Sequence, residues 1–290
     1  MKLQPPISPW LACILLLLSC TQPLTAQTRP GGPALVSIDR YWRGVSRWYV
    51  EFDYGSGTIN HLSSTSPFAN PGLLELRAGL RDLKMVRRGI LDSEEKFVGG
   101  KWYSPDFAAF KNASQTVRLN MFGFGLGSRT AYGYEWGSAL FFPYHQYAFT
   151  FTKVQPAYSS SVPDVDRALM DRYKGPFRVG ISFEGGFRFH VSGVLSFQTG
   201  VEGSVVYPRF VFPKWAGSYV TGAFAFILSS QATESILSSS PLLAPVFSFI
   251  VRNAISYLFY QAIRRNSFWP FRSEPPLSIA TLKAGFAIRF

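Results

Sequence analysis

The sequence predicts an all-β fold, a single antiparallel transmembrane β-barrel, on three observations. Most of the chain alternates apolar and polar residues with a period of two, as strands with one apolar face do. Aromatic residues make up 17% of the 290, with 27 Phe and 14 Tyr, yet the mean hydropathy is only +0.08. A barrel reconciles the two, because only every second residue meets lipid and aromatic girdles mark both interfaces. The last stretch sets Leu282, Ala284, Phe286, Ile288 and Phe290 against Lys283, Gly285, Ala287 and Arg289. That is a strand with an apolar face and an aromatic at its end.

The start of the chain reads as an export signal. Lys2 is the one charge before Arg29, and Trp10 to Leu18 is an apolar run of signal-peptide length, too short to span a bilayer. Cleavage after Leu24-Thr25-Ala26 competes with a lipobox reading of Leu17-Leu18-Ser19-Cys20, which would leave a lipidated Cys20. The expected organisation is a signal peptide at 1–26, a flexible Pro- and Gly-rich lead-in at 27–46 and the barrel at 47–290. Cleavage after Ala26 removes Cys13 and Cys20, the two cysteines of the chain, and with them disulfide and thiolate chemistry. It also removes Lys2 and no acid, so the formal charge falls from +12 to +11. For an exported chain that surplus raises outer-membrane lipid and anionic lipopolysaccharide as partners and argues against nucleic acid, the alternative being charge that simply sits in loops and periplasmic turns.

Strands follow in order. Trp48, Val50, Phe52 and Tyr54 alternate with Tyr49, Glu51 and Asp53; Leu74, Leu76, Ala78 and Leu80 oppose Glu75, Arg77 and Arg81. Thr116 to Leu126 places Val117, Leu119 and Met121 opposite Arg118 and Asn120. Ala131 to Phe141 sets Tyr132, Tyr134 and Trp136 against Gly133 and Glu135, and Tyr147, Phe149 and Phe151 continue the series. The cleanest hairpin is Phe177 to Val206, turning at Val191-Ser192-Gly193, with a Phe/Val face opposite Arg178, Glu184, Arg188 and Glu202. A return strand is expected at 216–229, and 85–114 is expected as a periplasmic insertion.

Ala244 to Arg265 resists this reading. Ser248, Arg252, Asn253, Ser256, Arg264 and Arg265 lie mostly along one helical side, which predicts an amphipathic helix. Parity asks instead for an outward strand there, because bacterial barrels have even strand numbers. Counting it as a strand gives about ten strands; as a helix, one strand has been miscounted between 85 and 114 and eight is possible. The loop at 156–176, with a helix start at Pro163-Asp164, is placed outside the cell with those at 55–70, 207–215 and 263–275.

A barrel of this size has a narrow interior filled by side chains. The inward set, Glu51, Asp53, Glu75, Arg77, Glu135, Arg178, Glu184, Arg188 and Glu202, carries both signs and predicts a charge network that plugs the lumen; a conduction path or small-ligand pocket is the alternative use. The three histidines, His61, His145 and His190, are scattered, so neither a metal nor a cofactor is expected.

Lys283, Gly285, Ile288 and Phe290 resemble the four positions of the C-terminal sorting signal of bacterial outer-membrane β-barrels. The resemblance implies the outer membrane as location and the barrel-assembly machinery as a partner of the last strand. Residues 47–290 are similar in general to PorT-like and OmpA-like barrels, and the Ala26-Gln27 junction resembles secreted proteins of the Bacteroidota. The implied role is structural, anchoring or adhesive through the loops and non-enzymatic, with a further periplasmic or surface protein as partner. His190-Val191-Ser192 with Glu202 resembles the arrangement of lipid A deacylases, in which His is the base and Ser the nucleophile; a lipid-modifying hydrolase or a narrow porin-like channel is the alternative function.

Overall fold

The computed structural model describes residues 46–87, 89–110, 117–137 and 139–290; the expected signal peptide and residues 27–45 of the lead-in lie outside them. Eight antiparallel strands close into a barrel in sequence order. They are β1 (Arg47–Asn60), β2 (Gly72–Arg87), β3 (Ile90–Ser104), β4 (Val117–Trp136), β5 (Ala139–Tyr158), β6 (Arg178–His190), β7 (Leu195–Val206) and β8 (Leu277–Arg289). Helix α1 (Asp164–Asp171) follows β5, and α2 (Phe212–Ser239) and α3 (Ala244–Arg265) separate β7 from β8.

Paired residues followed around the wall from Val50 run through Ala78, Val98, Leu126, Phe149, Ile181, Val205 and Ser278. They return to β1 at Asn60, ten residues further along. A stagger of ten over eight strands tilts them by about 40° and leaves an interior that side chains alone can fill.

The wall is inside-out relative to a water-soluble sheet. Arg77 is 0% exposed while its neighbour Leu76 is 56% exposed. Trp48, Val50 and Phe52 on β1, Phe122, Phe124 and Leu126 on β4, and Phe286 and Ile288 on β8 all face outward. Burying charge and exposing Phe is favourable only where the outer solvent is hydrocarbon.

The two ends differ. The connections between β2 and β3, β4 and β5, and β6 and β7 are short and mark one end, while those between β1 and β2, β3 and β4, β5 and β6, and β7 and β8 are long and mark the other. Gly89 and Gly137 sit in the short turns at φ 79° and 61°, a backbone region glycine enters without strain.

The count is therefore eight, the lower of the two numbers considered, and 244–265 is a helix. The segment 85–114 is no insertion: β2 runs to Arg87, turns, and β3 returns over Ile90–Ser104. Its strand character was hidden because both faces are polar, with Asp92, Glu94 and Lys96 outward and Ser93, Glu95 and Lys101 inward. The expected strand at 216–229 lies within α2. Its buried side is made of small residues, Ser218, Gly222 and Ser229, and a helix satisfies its own backbone in an apolar medium. Stretches 116–126 and 131–141 are not two strands. The first and most of the second form β4, in which the buried apolar set Val117, Leu119 and Met121 gives way to the exposed set Phe122, Phe124 and Leu126.

Candidate functional site: a filled lumen and a helical hairpin on the outer wall

Three layers fill the barrel. At the loop end an apolar cluster includes Leu73, Leu119, Met121, Val154, Met170 and Tyr173. At the turn end Leu83, Leu91, Leu140 and Phe142 pack together. Between them lies a charged layer centred on Arg77. Its guanidinium donates to Glu51 at 2.6 Å, Glu75 at 2.7 Å and Glu184 at 2.8 Å. Arg129 donates to Glu51 and Glu95 at 2.8 and 3.0 Å, and Arg188 to Glu95 at 2.6 Å and also to Glu51. Lys283 reaches Glu75, Glu184 and Glu202 at 2.6, 2.7 and 2.7 Å, while Lys101 pairs with Glu202. Gln146 accepts from Arg77 and Arg129, both at 3.0 Å, and donates to Glu184 at 2.8 Å. Tyr144 donates to Glu184 at 2.5 Å and Gln198 to Asp53 at 2.6 Å.

With Asp53 and with Arg81, which lies 3.3 Å from Glu95, the layer holds six acids and six bases among the described residues. The balance is the condition under which charge persists away from water. Seven of the nine residues read as the lumen network from the sequence, Glu51, Asp53, Glu75, Arg77, Glu184, Arg188 and Glu202, meet here. The other two are corrected. Glu135 has the inward parity but is exposed at the turn end, and Arg178 lies at the loop end, donating to the Arg172 carbonyl. Alternation gives the face of a residue and says nothing of its depth. Arg81, Glu95, Lys101, Arg129 and Lys283 were missing from the expected set.

The deacylase-like arrangement does not assemble. The His190 ring faces the lumen, 2.5 Å from the Arg81 guanidinium and edge-on to Phe142. Ser192 lies in the turn, where its hydroxyl accepts from the Val194 and Leu195 amides at 3.3 and 3.0 Å. Glu202 is held by Lys101 and Lys283.

The loop end is pinned by Asp166 of α1, whose carboxylate accepts from the Ser66 amide and hydroxyl at 2.8 and 2.6 Å and from the Thr65 amide and hydroxyl at 3.2 and 3.0 Å. Burial opposes the charge, but these hydrogen bonds outweigh it and hold the carboxyl below its ordinary range. A depressed value means the clamp is complete above the unfolded pKa of about 3.9 and is lost as pH falls through the folded value. Asp166→Asn should speed amide exchange at Ser66 about tenfold at neutral pH, because a charge-assisted bond becomes a neutral one. Unchanged exchange would mean that the clamp does not order the loop.

Outside the barrel, α2 and α3 form a hairpin against the wall. The 22 residues of α3 reach about 33 Å, enough to cross a hydrocarbon core of about 30 Å. Near the turn end the Tyr134 hydroxyl donates to the Leu242 carbonyl at 2.6 Å. Along the seam His145 and Ser256 hydrogen-bond at 2.6 Å, Asn253 donates to the Tyr144 carbonyl at 3.3 Å, and Tyr260 donates to the Ile279 carbonyl at 3.3 Å. Close approach is possible because the wall is bare there: a Cβ on Gly185 would lie 2.2 Å from Asn253 Oδ1, and one on Gly203 3.2 Å from the Tyr260 ring. Ser218, Gly222, Ser229, Thr233, Ser248, Asn253 and Ser256 are buried, whereas Val220, Phe224, Ile227, Leu228, Ile250 and Leu258 are exposed. Small and polar inside with apolar outside is the packing of helices in lipid. The polar side of α3 noticed in the sequence thus faces the barrel.

No protein-family model matches the chain, and no curated protein matches it. Solved structures similar to it include Neisserial surface protein A, at 9% identity and a TM-score of 0.39, covering 85% of this chain and 100% of that one. Ail, the attachment invasion locus protein of Yersinia pestis, is similar at 6% identity and a TM-score of 0.31, covering 84% and 97%. The transport unit of the autotransporter AIDA-I from Escherichia coli is similar at 10% identity and a TM-score of 0.22, covering 60% and 56%. At such low identity and superposition these likenesses transfer no function to this chain.

Proposed function

We propose that the chain is an integral outer-membrane β-barrel with a structural role, an anchor that presents its loop face for adhesion or scaffolding and catalyses no reaction. The filled lumen carries this reading: among the described residues a layer of six acids and six bases, paired with one another, lies between two apolar layers. In this reading the end with short turns faces the periplasm and the end with long connections the cell exterior, the usual arrangement of such barrels. The sorting-signal residues support the location and have places in the folded wall. Lys283 completes the charge layer, Gly285 lets the backbone of Phe52 approach, and Ile288 and Phe290 face outward. Recognition of that strand by the barrel-assembly machinery and a Bacteroidota-type origin belong to the same proposal.

Two measurements test it. The purified protein should resist SDS at room temperature and change gel mobility on boiling; a chain that stays soluble without detergent refutes the membrane reading. In planar bilayers it should conduct no steady current, and a stable single-channel conductance would replace the anchor by a channel. For the hydrolase alternative, mass spectra of lipopolysaccharide from cells with and without the gene should be identical.

A further inference from the structure

The surplus of positive charge is not spread evenly over the molecule. The segments at the loop end of α2 and α3, 207–214 and 264–276, hold Arg209, Lys214, Arg264, Arg265 and Arg272 against one acid, Glu274. That acid is already shared between Arg172 at 3.8 Å and Arg209 at 3.5 Å. The opposite end of the hairpin, from 237 to 248, carries no charged residue. Lys214 and Arg272 stand together. The Lys214 ammonium donates to the Arg272 carbonyl at 2.9 Å, and a Cβ on Gly217, about one turn further along α2, would lie 2.5 Å from the Phe271 ring. Both residues are exposed, and among the described residues neither forms an ion pair with a carboxylate.

A groove opens beside this pair. It holds about 730 Å³ on the outer wall over β2 to β5 and runs from Trp215 and Tyr219, near the start of α2, to Trp48 at the turn end of β1. Trp215 meets Phe149 edge-on at 5.2 Å and stacks on Tyr219 at 5.6 Å, so the mouth is aromatic. Leu126 and Val98 continue the apolar lining, and the small side chains of Ala78 and Ser128 leave it room. Lys153 stands on the other bank, exposed on the same face of β5 as Phe149 and four residues nearer the loop end. Lys96, in register through Leu80 with Trp48 at the far end, is paired with Glu94 at 3.7 Å. The charge left without an acid is therefore at the loop-end mouth.

We propose that this mouth and groove bind a phosphorylated glycolipid of the outer leaflet. A phosphate monoester is held by Lys214 and Arg272 and faced by Lys153, and one acyl chain lies along Trp215, Phe149 and Leu126. The inference rests on the outer-membrane reading, which turns the loop end to the cell exterior. Five bases against one acid suit a monoester, with a charge of about −1.5 to −2, better than the single charge of a phosphodiester. Long basic side chains at this level lay their stems along apolar surface and carry their heads to the interface. Trp and Tyr at the mouth belong to the aromatic girdle found there.

Native mass spectrometry of the full chain in detergent tests this with four probes: bisphosphorylated lipid A, the same lipid after phosphatase treatment, phosphatidylglycerol and inorganic phosphate. The expected result is one lipid A retained per chain. The dephosphorylated lipid and the double variant Lys214→Gln/Arg272→Gln should each bind about tenfold more weakly, the loss of a charge-assisted contact. Ser128→Phe, which fills the groove and leaves every cation in place, should weaken retention as well, and it decides the matter if the double variant does not fold. Equal retention of the dephosphorylated lipid or of phosphatidylglycerol would overturn the site. So would undiminished retention by the double variant or by Ser128→Phe, or binding of inorganic phosphate alone. A heat-modifiable barrel without lipid preference sinks this inference only; a chain soluble without detergent sinks the membrane reading with it.

Discussion

Arg77→Met is expected to destabilise the barrel by about 3–5 kcal/mol, the typical cost of stranding buried charge by removing its partner. Arg77 is the hub of the charged layer, contacting Glu51, Glu75 and Glu184 within 2.8 Å, and it is fully buried. Without it the layer holds six acids and five bases, and one carboxylate must take up a proton or admit water. Adding Glu184→Gln should return part of the loss, since it restores the balance while keeping the shape. The measurement is the urea midpoint of refolded protein in detergent, followed on the gel by heat-modifiability. A shift of less than about 1 kcal/mol, the worth of an exposed pair, would show that the network is hydrated in solution and that the lumen is not closed.

That hub was legible in the sequence, and the reasons extend to the rest of the molecule. Strand alternation put Arg77, Glu51 and Glu184 on the inward face, because wall residues near mid-depth obey one rule, apolar out and charged in. The rule reverses at the loop end, where the lumen is itself apolar. Val117, Leu119 and Met121 therefore point inward on β4, and the switch at Phe122 breaks an unbroken strand into two apparent ones. Arg129 fell into the false gap, and Glu95 and Lys101 into the supposed insertion; with Arg81 and Lys283 also left out, four of the six bases of the network went unseen. Treating 117–136 as one strand of constant parity would have recovered Arg129. For the hairpin, α3 was visible as a polar stripe, but α2 was not. Its buried positions are small residues rather than charges, and nothing in such a pattern separates it from a wall strand. The seam required the bare glycines of β6 and β7 opposite Asn253 and Tyr260, so only the folded chain reveals it.

Gly185→Leu is expected to undock the hairpin while leaving the barrel closed. The wall does not depend on α2 and α3, since β7 pairs with β8 over its full length, from Leu195 with Ile288 to Val206 with Leu277. The seam is held by the hydrogen bonds of Ser256, Asn253, Tyr260 and Arg252, and such contacts between elements in lipid average about 0.6 kcal/mol each. Together they amount to about 2–3 kcal/mol. A leucine at 185 places its Cβ 2.2 Å from Asn253 Oδ1 before the rest of the side chain is considered, and overpacking of this kind costs about 1–3 kcal/mol. The two magnitudes are comparable, so docked and undocked hairpins should coexist. Spin labels at the exposed positions Ile250 and Phe189 report this directly. Wild type should give one narrow distance distribution, and the variant should add a longer, broad one. A pair on the wall alone, at Leu76 and Phe286, should be unchanged in both. A single narrow distribution in the variant would mean that the hairpin is held by something other than this seam.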